Sequence, residues 1–239
     1  MNDILIVGDS HTGALNRALE TLQETGKPRP NVRVRPLGGG HLFPTEFFKD
    51  AGTHAEIIDP LFSRSFPRLP PENMTLGAIG LAAPLWPVRV VRELVWKGQG
   101  LAGHHGPHQP VSRAVFRQLV LRDQHYVLKL ADLLQRNGLP VLAIASPSLF
   151  REFPLLKFHD PRDVMAMFEA YREIMFEELA ARGIDAIDIP EGTRDSEGFM
   201  RPEFHHIEPE DVHHANADYG LLVLDQVTAW QESLAQRSA

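Results

Sequence analysis

A serine hydroxyl is a weak nucleophile at neutral pH. It becomes useful when a base takes its proton and a third group holds that base in one tautomer. Near the start of the chain Ser10 lies in Val7-Gly8-Asp9-Ser10-His11-Thr12-Gly13, and near its end Asp211 and His214 stand in Asp211-Val212-His213-His214-Ala215-Asn216. Asp211 can accept from the Nδ1–H of His214 while Nε2 faces Ser10, so the two ends of the sequence hold the parts of a nucleophile, a base and an orienting carboxylate. Each fragment alone is common: Gly-Asp-Ser-His is often just a turn, and Asp-x-x-His often just starts a helix. Their weight depends on the elements that carry them.

Those elements are legible from periodicity. Ile4-Leu5-Ile6-Val7 is an apolar run of strand length directly before the serine turn. Ala14 to Glu24 has the i, i+3, i+4 spacing of an amphipathic helix, stopped by Gly26 and Pro28. Val32 to Leu37 alternates as a second strand and runs into Gly38-Gly39-Gly40-His41, where glycines permit close backbone approach to a ligand, or simply a flexible turn. Met74 to Leu81, Leu139 to Ala145 and Ile184 to Ile189 predict a third, fourth and fifth strand. Helical spacing covers Arg89–Trp96, Ser112–Asn137, Asp163–Arg182 and Leu221 to about Leu234. Strands alternating with helices predict an α/β fold with a mostly parallel five-stranded sheet covered on both faces. Ser10 then sits at the carboxyl edge of the first strand, where open α/β sheets build their sites. No linker or repeat divides the chain, so residues 1–239 read as one domain, with irregular insertions around 41–74 and 97–112.

Composition narrows the function classes. The 239 residues are 43% hydrophobic and 23% charged, enough to bury a full core. The net charge is −7 and the 24 basic residues are scattered, so the basic stripe of a nucleic-acid binder is missing. There is no cysteine, which excludes disulfides, thiol nucleophiles and thiolate metal sites. No window approaches the roughly 20 apolar residues of a membrane span, and the features of a signal peptide are not visible ahead of the first strand, so none is expected. The expectation is a cytoplasmic protein with no nucleic-acid or membrane partner; its oligomeric state is left open.

With both blocks placed, the sequence resembles the SGNH/GDSL hydrolase superfamily. Gly8-Asp9-Ser10 behind a strand matches its first block, and Asp211-x-x-His214 before the final helix matches its last. His214-Ala215-Asn216-Ala217-Asp218-Tyr219-Gly220 is similar to the continuation common there, as Asp195 to Met200 is to the approach seen in bacterial members. The resemblance implies a flavodoxin-like three-layer α/β/α sandwich and hydrolysis of esters. It implies Ser10 as nucleophile, His214 as general base and Asp211 as its orienting partner. The oxyanion hole would use the Ser10 N–H, an N–H from Gly38, Gly39 or Gly40, with Gly39 the middle choice, and an Asn side chain after the third strand. That Asn has no counterpart in Leu81-Ala82-Ala83-Pro84-Leu85. Loss of one such donor costs on the order of 100- to 1000-fold in rate.

The twelve histidines offer substitutes. His41 beside the glycines, or His104 and His105 in the cluster ending at His108, could reach the pocket as donors; the plain alternative is a solvated loop. The His104 and His108 spacing could supply two zinc ligands, but no third converges from the sequence, so no metal is expected. His11 lines the pocket or caps the first helix, His213 is a bystander, and Asp9 accepts backbone N–H bonds in the turn. His205 and His206 could line the entrance. Trp86, Trp96, Phe43, Phe47 and Phe48 form an apolar wall or simply pack. The expected activity is a serine hydrolase that needs no cofactor and cleaves a small acyl ester, such as an acetyl ester, of a small molecule or glycan. The alternatives are a weak or inactive binding module that keeps the pocket, and an acyltransferase.

Overall fold

The computed structural model describes residues 3–64, 66–103 and 108–237. In chain order the strands are β1 (Asp3–Gly8), β2 (Val32–Pro36), β3 (Phe48–Asp50), β4 (Ala55–Ile57), β5 (Arg68–Leu69), β6 (Leu76–Leu85), β7 (Gln99–Leu101), β8 (Gln109–Val111), β9 (Val141–Ala145) and β10 (Asp185–Ile187). The helices are α1 (Thr12–Glu24), α2 (Val88–Trp96), α3 (Arg113–Asp123), α4 (His125–Arg136), α5 (Pro161–Ala181) and α6 (Ala217–Arg237).

The central sheet runs β10-β9-β6-β1-β2 with every pairing parallel. Counted along the chain this is the 2-1-3-4-5 order of flavodoxin-like folds, and the order reverses between β1 and β6. Ile4, Leu5, Ile6 and Val7 are buried, as are all of Val141 to Ala145, which is what strands covered on both faces require. Helix α1 packs along α6, while α5 packs with α2 and α3 and α4 lies against β6 and β9. The expected three-layer α/β/α architecture with a five-stranded sheet is present, and the sheet is wholly rather than mostly parallel. Among the described residues no helix is long and apolar enough to cross a membrane.

The structure corrects several boundaries. Strand β6 continues to Leu85 instead of stopping at Leu81. Between Leu81 and Leu85 its register against β9 shifts, four steps on β6 matching the two from Ala143 to Ala145. Pro84 lies inside this irregular stretch, the place where a strand tolerates a residue without an N–H. The single helix expected over 112–137 is two. Gln124, fully buried and out of the helical region at φ −97° and ψ 6°, separates α3, which packs on α5, from α4, which packs on the sheet. Helix α6 begins at Ala217 rather than Leu221, because Asn216 Oδ1 accepts from the Tyr219 N–H and starts it earlier. The two insertions are not wholly irregular: β3, β4 and β5 form an antiparallel sheet, and β7 pairs with β8.

Candidate active site

The turn after β1 is built by its own side chains. Gly8 lies so close to β6 that a Cβ there would stand 2.2 Å from the Ala82 carbonyl oxygen, which brings the two strands together at the switch point. The Asp9 carboxylate accepts from the His11 backbone N–H at 3.0 Å and bonds the His11 ring Nδ1 at 2.8 Å. The Asp9 carbonyl accepts from the Thr12 hydroxyl at 2.7 Å. Burial works to raise the Asp9 carboxyl, but His11 and then Arg89 outweigh it and hold it below the usual carboxylate value. Asp9 and His11 turn inward, and Ser10 is left exposed at the carboxyl edge of the sheet. His11 precedes α1 without capping it through its side chain, since its ring is committed to Asp9.

The partner loop arrives ahead of α6. Arg17 Nη2 donates to the Ala215 carbonyl at 2.7 Å, tying α1 to this loop, and Asn216 Nδ2 donates to the Glu203 carbonyl at 2.7 Å. So held, His214 Nε2 lies 2.8 Å from Ser10 Oγ, and His214 Nδ1 lies 2.8 Å from Asp211 Oδ2. Asp211 Oδ1 also accepts the backbone N–H groups of His213 and His214, at 3.1 and 3.0 Å. Partial burial works to raise the Asp211 carboxyl, but the His214 ring and these two N–H groups outweigh it and bring it down to about 2. Burial lowers His214, with Asp211 opposing. The carboxylate is thus ionised and the imidazole neutral at pH 7, the charge state in which Nδ1–H is donated to Asp211 and Nε2 can take the proton of Ser10.

Among the described residues no acceptor stands against the backbone N–H of Ser10, Gly38, Gly39 or Gly40. Of the three glycines, Gly40 abuts the serine turn: a Cβ there would be 2.8 Å from Asp9 Oδ2. Added Cβ atoms would instead meet the Phe62 ring at Gly38 and the exposed His41 ring at Gly39. Arg89 holds this glycine turn from below. Its Nη1 donates to the Gly40 carbonyl at 2.8 Å, while Nε and Nη2 grip both oxygens of Asp123 at 2.9 and 2.8 Å. The sequence analysis missed Arg89. Its signal was a single cation in the apolar run Val88-Arg89-Val90-Val91.

The end of β6, Leu81 to Leu85, carries no side-chain amide, and Trp86 follows it directly. Trp86 is buried with its ring centroid 4.2 Å from that of His11 and 4.9 Å from that of His213. His213 packs between Trp86 and Phe153, and burial, with His11 and His214 nearby, lowers it to about 3. His206 approaches Asp211, its Nδ1 3.7 Å from Oδ2, whereas His205 packs on Phe150. Phe43, Phe47 and Phe48 are buried in the core: Phe43 and Phe47 pack on Phe62, and Phe48 on Phe47. Trp96 is 70% exposed under Arg92. His104 and His105 lie outside the described residues, and His108 is turned inward, 3.6 Å from Asp163.

No family model and no curated protein matches the sequence. Solved structures match over nearly the whole chain. A GDSL-like lipase from Bacteroides thetaiotaomicron is 12% identical with a TM-score of 0.53, covering 96% of this chain and 89% of that one. A protein assigned to the G-D-S-L lipolytic family, from Desulfitobacterium hafniense, is 10% identical with a TM-score of 0.52, covering 96% and 99%. At these identities the likeness concerns the fold, which is SGNH/GDSL hydrolase-like.

Proposed function

We propose, from this GDSL-hydrolase-like fold and the hydrogen-bonded series Ser10–His214–Asp211, that the chain is a serine hydrolase acting on a small acyl ester of a small molecule or glycan. The observation that carries the reading is the 2.8 Å contact between Ser10 Oγ and His214 Nε2, with Asp211 on the opposite ring nitrogen. Ser10 Oγ attacks the ester carbonyl as its proton passes to His214 Nε2. The carbonyl oxygen gains negative charge among the N–H groups of Ser10 and the glycine turn, where Gly40, which abuts Asp9, is the candidate donor we favour. The tetrahedral intermediate collapses, the C–O bond to the alcohol breaks, and His214 returns the proton to the departing oxygen. Water then gives its proton to His214 and attacks the acyl-serine; release of the carboxylic acid regenerates Ser10. Asp211 stays ionised throughout and stabilises the transient imidazolium.

Turnover of an aryl acetate, together with covalent labelling by a fluorophosphonate, tests this. Both are expected in the unmodified chain and both are lost in Ser10→Ala. Labelling that persists in Ser10→Ala overturns the assignment. A second reading rests on the missing side-chain amide donor at the end of β6, Leu81 to Leu85: a binding module that keeps the pocket without an activated serine. It predicts no labelling of Ser10 at all.

A further inference from the structure

We propose that His11, His213 and His214 form a site for one divalent transition-metal ion of the zinc class, and that the bound ion takes His214 away from Ser10. The second half rests on the hydrolase reading above; the binding itself does not. The nitrogens that these three rings can offer lie within 4.8 Å of one another, the one such grouping of three metal-binding side chains among the described residues. Two of the rings are already set as metal-ligating histidines usually are, with the other ring nitrogen held by a carboxylate. Asp9 Oδ1 holds His11 Nδ1 at 2.8 Å, and Asp211 Oδ2 holds His214 Nδ1 at 2.8 Å. Each carboxylate fixes the tautomer that leaves a lone pair on Nε2.

His11 Nε2 is the independent pointer to a ligand. The His11 side chain is 4% exposed, and its Nε2 is buried without any hydrogen-bond partner. A buried polar atom left unpaired is unfavourable, and coordination would satisfy it. Around a tetrahedral zinc, with Zn–N near 2.1 Å, ligand nitrogens stand about 3.3 Å apart, so the rings must close by roughly 1.5 Å. His213, half-buried on the loop ahead of α6, can supply that by side-chain rotation. The N-terminus of α1 repels a cation, but Asp9 and Asp211, each bonded to one of the ligands, provide the compensating negative charge. His214 cannot serve the ion and Ser10 through the same Nε2, so metal binding and proton transfer exclude each other.

The test titrates the untagged 239-residue chain with Co²⁺, following the visible absorption of a tetrahedral site, and then displaces it with Zn²⁺. One equivalent of Co²⁺ is expected to bind and one of Zn²⁺ to displace it. His213→Phe and His11→Phe, which keep aromatic packing against Trp86, should each weaken binding about tenfold or more. Ser10→Ala should bind at least as tightly, because it removes the competing hydroxyl. In the unmodified chain Zn²⁺ should suppress aryl ester turnover over the same concentrations, with recovery on adding EDTA. Binding unchanged in His213→Phe overturns the site, also where His11→Phe does not fold. Binding lost in His213→Phe but kept in His11→Phe would turn His11 towards the small cavity it shares with Ser146 and Tyr219, and equally overturns the three-histidine site. Full turnover in the zinc-loaded protein overturns the competition with Ser10. If Ser10→Ala keeps its esterase activity, the hydrolase reading fails while the Co²⁺ titration still decides the site.

Discussion

Arg89 and Gly40 are joined by a 2.8 Å hydrogen bond from the guanidinium to the glycine carbonyl, and the same guanidinium is locked onto Asp123 by two more bonds. This connects α2 and α3 to the glycine turn that abuts Asp9. Arg89 touches no reacting atom, so its role is positioning. A lysine keeps the charge but cannot make all three bonds at once. Arg89→Lys is therefore expected to lower kcat for an aryl acetate by about 10- to 100-fold with KM nearly unchanged, because a displaced donor is felt chiefly in the transition state. Steady-state kinetics decide: equal loss in kcat and stability with a matching rise in KM would make Arg89 a plain structural brace.

Asp211→Asn tests the orienting role. The amide oxygen can still accept the N–H groups of His213 and His214, so the loop is expected to keep its shape. The amide N–H₂, turned to His214 Nδ1, favours the wrong tautomer and puts the proton on Nε2. Turnover should fall by about 10⁴-fold while circular dichroism stays unchanged. A loss below tenfold would remove Asp211 from the mechanism.

Gly40→Ala bears on the oxyanion turn. Its new Cβ would meet Asp9 Oδ2 at 2.8 Å, and Asp9 is buried and held by two bonds from His11, so the glycine turn must move instead. We expect kcat to drop at least about tenfold, the scale of a sub-ångström misplacement. Unaltered kinetics in a folded Gly40→Ala protein would direct attention to Gly38 or Gly39.

Gly220→Ala separates packing from helix propensity. Within a helix alanine is better than glycine by about 1 kcal/mol. At this position, however, the Cβ would stand 2.2 Å from the Ala14 carbonyl oxygen, where α6 crosses α1. Overpacking against backbone costs about 1–3 kcal/mol, and a contact this close belongs at the upper end. A net loss of about 1–2 kcal/mol is expected, lowering Tm by roughly 2–8 °C, and differential scanning calorimetry reads it. A raised Tm would mean that the two helices separate without cost.

Where the sequence analysis departed from the structure, long-range packing overrode a local pattern. The apolar period through 112–137 runs on without Gly or Pro, so nothing in it marks the change of direction at Gln124; α3 and α4 simply bury their faces against different partners. Pro84 signals the end of a strand locally, yet β6 passes through it because the register shift against β9 absorbs the missing N–H. The aromatic residues Phe43, Phe47 and Phe48 look equally suited to a pocket or a core, and only their mutual packing, with Phe62 against Phe43 and Phe47, decides for the core.

By itself the sequence determined the features that follow from neighbours along the chain. These are an apolar strand feeding a Gly-Asp-Ser turn, a helix of period 3.6 behind it, glycines after the second strand, and a carboxylate three residues before a histidine. Such patterns depend on local backbone geometry, which adjacent residues control. The tertiary structure alone decided that His214 Nε2 meets Ser10 Oγ across 204 residues, that Arg89 reaches Gly40, and that His11 and His213 close around the same imidazole. Those contacts depend on sheet register and helix crossing, which are set by burying the whole core at once and leave no trace in any short segment.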